Sequence, residues 1–229
     1  MSADFVFDLR GKSESALAPP ATAIALARAI VSDLDDTWRK GKLFTPAPGI
    51  EVQTYARTLY SEKWFARRSI HRDVPYDWFK AGLCDNHCDN EVEYIETFES
   101  FTEFKPLSAD GPAGLWRGIL PIYKMPFPLK KRELPTWVLA TQPDPHVNEF
   151  FVISVPAKQP AKPEYVQGGY SSVEFVSELP DGSVQWTVAL VSDGGGSIPK
   201  WIQDFSVPAI IAEDVPSFIN WAKKKYVAE

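Results

Sequence analysis

The stretch whose reading decides the fold is SDGGGSIPKW, residues 192–201. Upstream of it, VQWTVALVSD (184–193) is rich in β-branched and aromatic residues and reads as a strand. Downstream, residues 197–227 read as helix, with Pro208 and Pro216 inside it. Each proline removes a backbone donor, so a kink or a restart is expected at both. The three glycines between the two elements suit a strand-to-helix turn that needs positive φ. A phosphate-cradling loop would require Lys-Ser/Thr in P-loop spacing or a G-x-G-x-x-G run, and neither is present.

Working outward, YSSVEFVSEL (170–179) pairs naturally with VQWTVALVSD through the turn Pro180-Asp181-Gly182. Further strands are expected near FTEFKPL, GLWRGILPI, PTWVLATQ and EFFVISVP, and earlier in EVQTYARTLY and EKWFARRSIH. Apolar residues from Ala23 to Trp38 recur at three- and four-residue spacing, which predicts a helix ending near Gly41. Phe44–Gly49, with two prolines, is expected to be a loop. Two short helices follow in DVPYDWFKAGLC, where Asp73 can cap and Pro75 suits the first turn, and near NHCDNEVEYIETF. No repeat or domain boundary interrupts the chain. The fold class is therefore α+β: residues 1–18 as an N-terminal arm and 19–229 as one domain, a mostly antiparallel sheet with a long terminal helix.

Composition narrows the function. The 229 residues carry 24 Lys plus Arg against 30 Asp plus Glu, a formal charge of -6. That balance argues against a nucleic-acid partner, since phosphate affinity rests on clustered cations. No long apolar run or leader-like segment is visible, and two cysteines are too few for a disulfide framework, which suits a cytoplasmic protein. Eight Trp point to a large aromatic-lined interior, and 20 Pro to many short loops.

Asp193, Gly195, Gly196, Ser197, Pro199, Lys200 and Trp201 resemble the end of a START-type (StAR-related lipid-transfer) domain. There the last strand runs through Asp-x-Gly-Gly-x-x-Pro-x-Trp into the C-terminal helix. The order of elements from Thr22 to Tyr226 is similar too. Within that superfamily, RRSIHRDVPYDWFKAGLCDNHCDNEVEYI resembles an uncharacterised START-like branch found in fungi. The resemblance implies a helix-grip fold, a curved antiparallel sheet wrapped around the C-terminal helix, with a ligand tunnel between them. It implies binding, and by extension transfer, of a lipid or other hydrophobic small molecule, with no cofactor.

Candidate site residues follow. Trp64, Trp116, Trp137, Trp186 and Trp201, with Tyr123 and Phe151, would line the tunnel. One of Arg67 and Arg68 must face inward on a regular strand, and an inward Arg67, Arg68 or Arg117 would hold a polar head group. Lys124, Phe127, Lys130, Lys131 and Arg132 place cations around apolar tips in a proline-rich loop, a pattern that suits transient docking on an anionic membrane. Cys84, His87 and Cys88 share a helical face, but no partner cluster completes a zinc set, so buried thiols are expected and no metal. The alternative function is a cofactor-independent cyclase or lyase using the same cavity, with His71, Glu91 and Tyr94 as candidate catalytic groups.

Overall fold

The structure, a computed structural model, describes residues 5–107 and 115–227. Alternation of large apolar and polar side chains makes the hairpin β2 (Ile50–Leu59) and β3 (Glu62–His71), with Leu59 paired to Glu62 across the turn. A second hairpin joins β10 (Gly169–Glu178) to β11 (Val184–Asp193) in unbroken register from Gly169↔Asp193 to Glu178↔Val184. β11 then pairs with β3, so the two hairpins lie side by side. The remaining strands are β1 (Arg39–Ala47), β4 (Phe98–Lys105), β5 (Arg117–Tyr123), β6 (Arg132–Glu133), β7 (Thr136–Thr141), β8 (Glu149–Pro156) and β9 (Val166–Gln167). Among the described residues they form one curved sheet in the order β1-β2-β3-β11-β10-β8-β7-β5-β6-β9, with β4 on β5. Every pairing is antiparallel except β6 with β9.

Helices cover both faces of this sheet. α1 (Pro20–Val31) packs on β8, β10 and β11. On the opposite face lie α3 (Tyr76–Phe79), a π-helical stretch Lys80–Asp85, α4 (His87–Tyr94) and α5 (Lys200–Tyr226). Gly82 lets α5 approach, because a β-carbon there would collide with Phe218 and Trp221. The interior is thus two apolar layers. One, under α1, holds Trp64, Trp116, Trp137 and Phe151. The other, under α5, holds Phe79, Phe150, Trp186 and Phe218.

Three sequence expectations change. The first helix stops at Val31, α2 (Leu34–Thr37) adds one turn, and β1 replaces both the expected helix end and the loop at 44–49. β1 is a largely exposed edge strand, so it carries none of the alternation that marks the inner strands. Within the N-terminal segment, Phe7 is fully buried, Ser171 Oγ donates to the Asp8 carbonyl at 2.7 Å, and Lys12 bridges to Ala157. Finally, α5 runs through Pro208 and Pro216 as one helix. The turn before it does need positive φ, at Gly195 (65°) and Gly196 (74°). A side chain at Gly195 would also strike the Gln167 carbonyl.

Candidate ligand-binding site

Strand parity builds the site. Along β3, Arg67, Ser69 and His71 point to the α5 side while Trp64, Ala66 and Arg68 point away. The same alternation turns Ser172 and Glu174 of β10, and Trp186, Val188 and Leu190 of β11, toward α5. Val152 and Ser154 of β8 join them. From the other side come His87, Glu91 and Tyr94 of α4, Tyr123 at the end of β5, and Val207, Ile211 and Asp214 of α5. Together they line a partly open cavity of about 360 Å³, within the size range of small-molecule sites.

Arg67 is the outstanding lining residue. It is 2% exposed, its guanidinium lies 3.8 Å from the centre of the Trp186 ring, and its Nε and Nη1 have no hydrogen-bond partner. Burial lowers its pKa, opposed by the charges of Asp214 and Glu174. Glu174 accepts a hydrogen bond from Trp186 Nε1, and burial raises its pKa. Burial pushes Asp214 up to about 6, with Arg67 pulling it back. Glu91 is pushed up to about 8, by burial first and by Asp214 second. His87 is held neutral by burial. Its Nδ1 lies 2.9 Å from the Leu83 carbonyl, which can only accept, so Nδ1 carries the proton. Nε2 is then an acceptor, 3.3 Å from Glu91 Oε2, and a protonated Glu91 is the donor that fits it.

The structure brings Arg67, Glu91, Tyr94, Tyr123 and Trp186 together around the cavity. It separates the others. Trp64, Trp116, Trp137 and Phe151 belong to the layer under α1, because a sheet covered on both faces buries both parities. Trp116 Nε1 and Trp137 Nε1 donate to the Ala18 and Lys12 carbonyls, both at 2.9 Å, and so pin the N-terminal segment. Arg68 faces away from the cavity and bonds Asp35 and, at 2.8 Å, the Tyr55 hydroxyl. Arg117 is taken up by Glu103. His71 is outside the lining, hydrogen-bonded to Ser69 Oγ at 2.9 Å, and burial brings its pKa down to about 4. Trp201 is 72% exposed on the outer side of α5, not a core anchor. Arg132 is 4% exposed, bonded to the Lys130 carbonyl within β6, and so is not a surface cation. Cys84 and Cys88 are buried free thiols, both pushed up to about 12 by burial.

Glu174 and Asp214 were not among the candidates from sequence. Glu174 sits between apolar neighbours in VEFV and Asp214 follows Glu213 in AEDVP, and only the pairing of β10 and the packing of α5 show that they face the cavity.

A curved antiparallel sheet closed over a long C-terminal helix is the START-like helix-grip fold. The chain shares it with human StAR-related lipid transfer protein 5, at TM-score 0.67 and 13% identity over 89% of this chain and 98% of that one. Human STARD10 aligns at TM-score 0.66 and 16% identity over 88% and 82%. A STAR-related lipid transfer protein from Xanthomonas axonopodis aligns at 0.63 and 13% over 82% and 99%. At these identities the likeness concerns the fold. The family model described as "Protein of unknown function (DUF3074)" matches residues 64–222, and the chain belongs to that family. A search of curated proteins finds no match. Among the described residues, no helix is long and apolar enough to cross a membrane.

Proposed function

We propose that the chain binds a lipid or other hydrophobic small molecule in this cavity and carries it, in the cytoplasm, between membranes without altering it. The observation that carries the reading is Arg67: a buried guanidinium with unpartnered donors, bordering a cavity whose apolar lining includes Val188, Leu190, Val207 and Ile211. An apolar body against those walls gains about 25 cal/mol per Å² removed from water. An acceptor oxygen at its polar end satisfies Arg67, whose unmet donors each cost about 1–3 kcal/mol. The lipid-transfer naming of the human and Xanthomonas structures supports the same activity here. Of the three candidates named for a cyclase or lyase, His71 lies outside the cavity lining, while Glu91 and Tyr94 lie within it beside the imidazole of His87.

Docking on a membrane would use the end of the sheet where α5 begins. Phe127 is 97% exposed on the β5–β6 loop, among Lys124, Lys130 and Lys131. Trp201 and Phe205, the latter 86% exposed, stand on the first turns of α5. A β-carbon at Gly196, just ahead of α5, would meet Val166 of β9 and Arg132 of β6, so the helix start lies close to the strand that follows the loop. Val207 and Ile210, on the same half of α5, border the cavity, so the docking face adjoins its mouth.

The test is native mass spectrometry of the purified protein, then solvent extraction and identification of what is released. A stoichiometric hydrophobic molecule supports carriage. A protein that stays empty after incubation with mixed-lipid vesicles, which it leaves unaltered in composition, refutes it.

A further inference from the structure

The polar end of the cavity is unbalanced in charge. Among the described lining residues Arg67 is the one cation, while Glu91, Glu174 and Asp214 bring three carboxyls from α4, β10 and α5. Neutral His87 adds no positive charge. Glu174 is answered by the Trp186 indole and by Arg67. Among the described residues, Glu91 meets no cation. Its near contact is His87 Nε2 at 3.3 Å, and the charge that acts on it is Asp214, of the same sign. Asp214 feels Arg67 and its neighbour Glu213 but, among the described residues, makes no hydrogen bond or ion pair. Two helices that pack on each other thus present two like carboxyls to one cavity. Burial and mutual repulsion both oppose their ionisation. A cation between them would relieve both effects. Beside them, the Arg67 Nε and Nη1 still lack an acceptor.

The geometry points to a ligand whose polar end carries a protonated amine, seated between Glu91 and Asp214, next to an oxygen that accepts from Arg67. This rests on the carriage reading and narrows it to an amino-alcohol or amino-carbonyl amphiphile.

The experiment is calorimetric titration at pH 7 with dodecylamine, dodecanol and dodecanoate, each below its micelle-forming concentration. Chain length is constant and the head alone changes. Dodecylamine should bind at least about tenfold more tightly than dodecanoate, a difference of ~1.4 kcal/mol. The isosteric variants Glu91→Gln and Asp214→Asn should each lose about tenfold toward the amine while keeping dodecanol affinity within about twofold. The retained dodecanol binding is the control for folding. Dodecanoate binding as tightly as the amine overturns the inference and leaves carriage standing, as does an amine preference that both variants keep. Failure of all three probes to bind overturns this inference and the carriage reading together.

Discussion

Glu91→Gln tests the electrostatics of the cavity through stability. Glu91 has its pKa raised from the ordinary 4.5 to about 8. A carboxyl raised on folding stays protonated in the native state while the unfolded chain ionises. The unfolded state therefore binds fewer protons than the native state between those two values. Stability then falls as pH rises through that window, and is fully retained below it. Each tenfold in proton affinity is about 1.4 kcal/mol, so the loss by pH 8.5 is on the order of 4 kcal/mol. The groups facing Glu91 are His87 and Tyr94 on its own helix, Asp214 of α5, Glu174 of β10, Arg67 of β3 and Tyr123 of β5. Glutamine has no proton to lose and can still donate to His87 Nε2. The variant should match wild type near pH 4 and exceed it near pH 8.5 by roughly 10 °C in Tm, at about 2–4 °C per kcal/mol for a chain of this size. Differential scanning fluorimetry from pH 4 to 9 reads this directly. The pull of Asp214, displaced from 3.8 to about 6, remains in both proteins and largely cancels, so the difference should open near pH 5 and grow steadily to about pH 8. Parallel profiles across the whole range would refute the argument, because they would mean that Glu91 ionises as freely folded as unfolded.

Phe218→Ala and Trp201→Ala form a second test on one helix. Phe218 is fully buried, with ring contacts to Phe79, Trp186 and Tyr94 at 5.1–5.5 Å, and its loss should cost about 3–5 kcal/mol, whereas truncating exposed Trp201 should change stability by less than about 0.5 kcal/mol; equal losses in chemical denaturation would contradict that placement. Arg67→Met should release any polar-headed molecule that co-purifies, and Arg68→Met should not. Identical extracts from both variants would remove Arg67 from the site. Replacing Lys124, Lys130 and Lys131 with Glu should weaken co-sedimentation with anionic vesicles, leave the melting midpoint within about 2 °C, and show its largest effect at low salt. Undiminished co-sedimentation would set the docking face aside.

How much of this was legible in the sequence depended on whether a signal is local. The turn at Pro180–Gly182, the period of residues 50–71 and the glycines at 194–196 are short-range signals, and each produced the element expected. Alternation also says that Arg67 and Arg68 face opposite ways. It does not say which faces the cavity, because that depends on β3 pairing with β11 and on the side that α5 occupies. The same ambiguity misplaced Trp64, Trp116, Trp137 and Phe151. A sheet with one covered face sends its large aromatics one way, but α1 covers the second face here, and apolar residues of both parities are buried. Trp201 misled for a related reason. A motif can fix its position in the chain, but its burial depends on what packs beside α5. Glu174 and Asp214 gave no local signal, since a lone acid in a strand and one of two adjacent acids on a helix both read equally well as solvated positions.

The long C-terminal helix is unevenly anchored along its length. From Lys200 to Ile210 none of its residues is buried, whereas Ile211, Ala212, Val215, Phe218, Ile219 and Ala222 are all core. Pro208 stands near that boundary, and a proline leaves the carbonyl four residues back without its usual donor. The two halves should therefore differ in amide exchange. The first should exchange deuterium through local opening at a small fraction of the global unfolding free energy, and the second only with the sheet. Because Val207 and Ile210 border the cavity on the loosely held side, the local opening rate would set how long a bound molecule stays, largely independently of how tightly it is held. Residence time and affinity then become separately tunable: the first by the sequence around Pro208, the second by the side chains around Arg67.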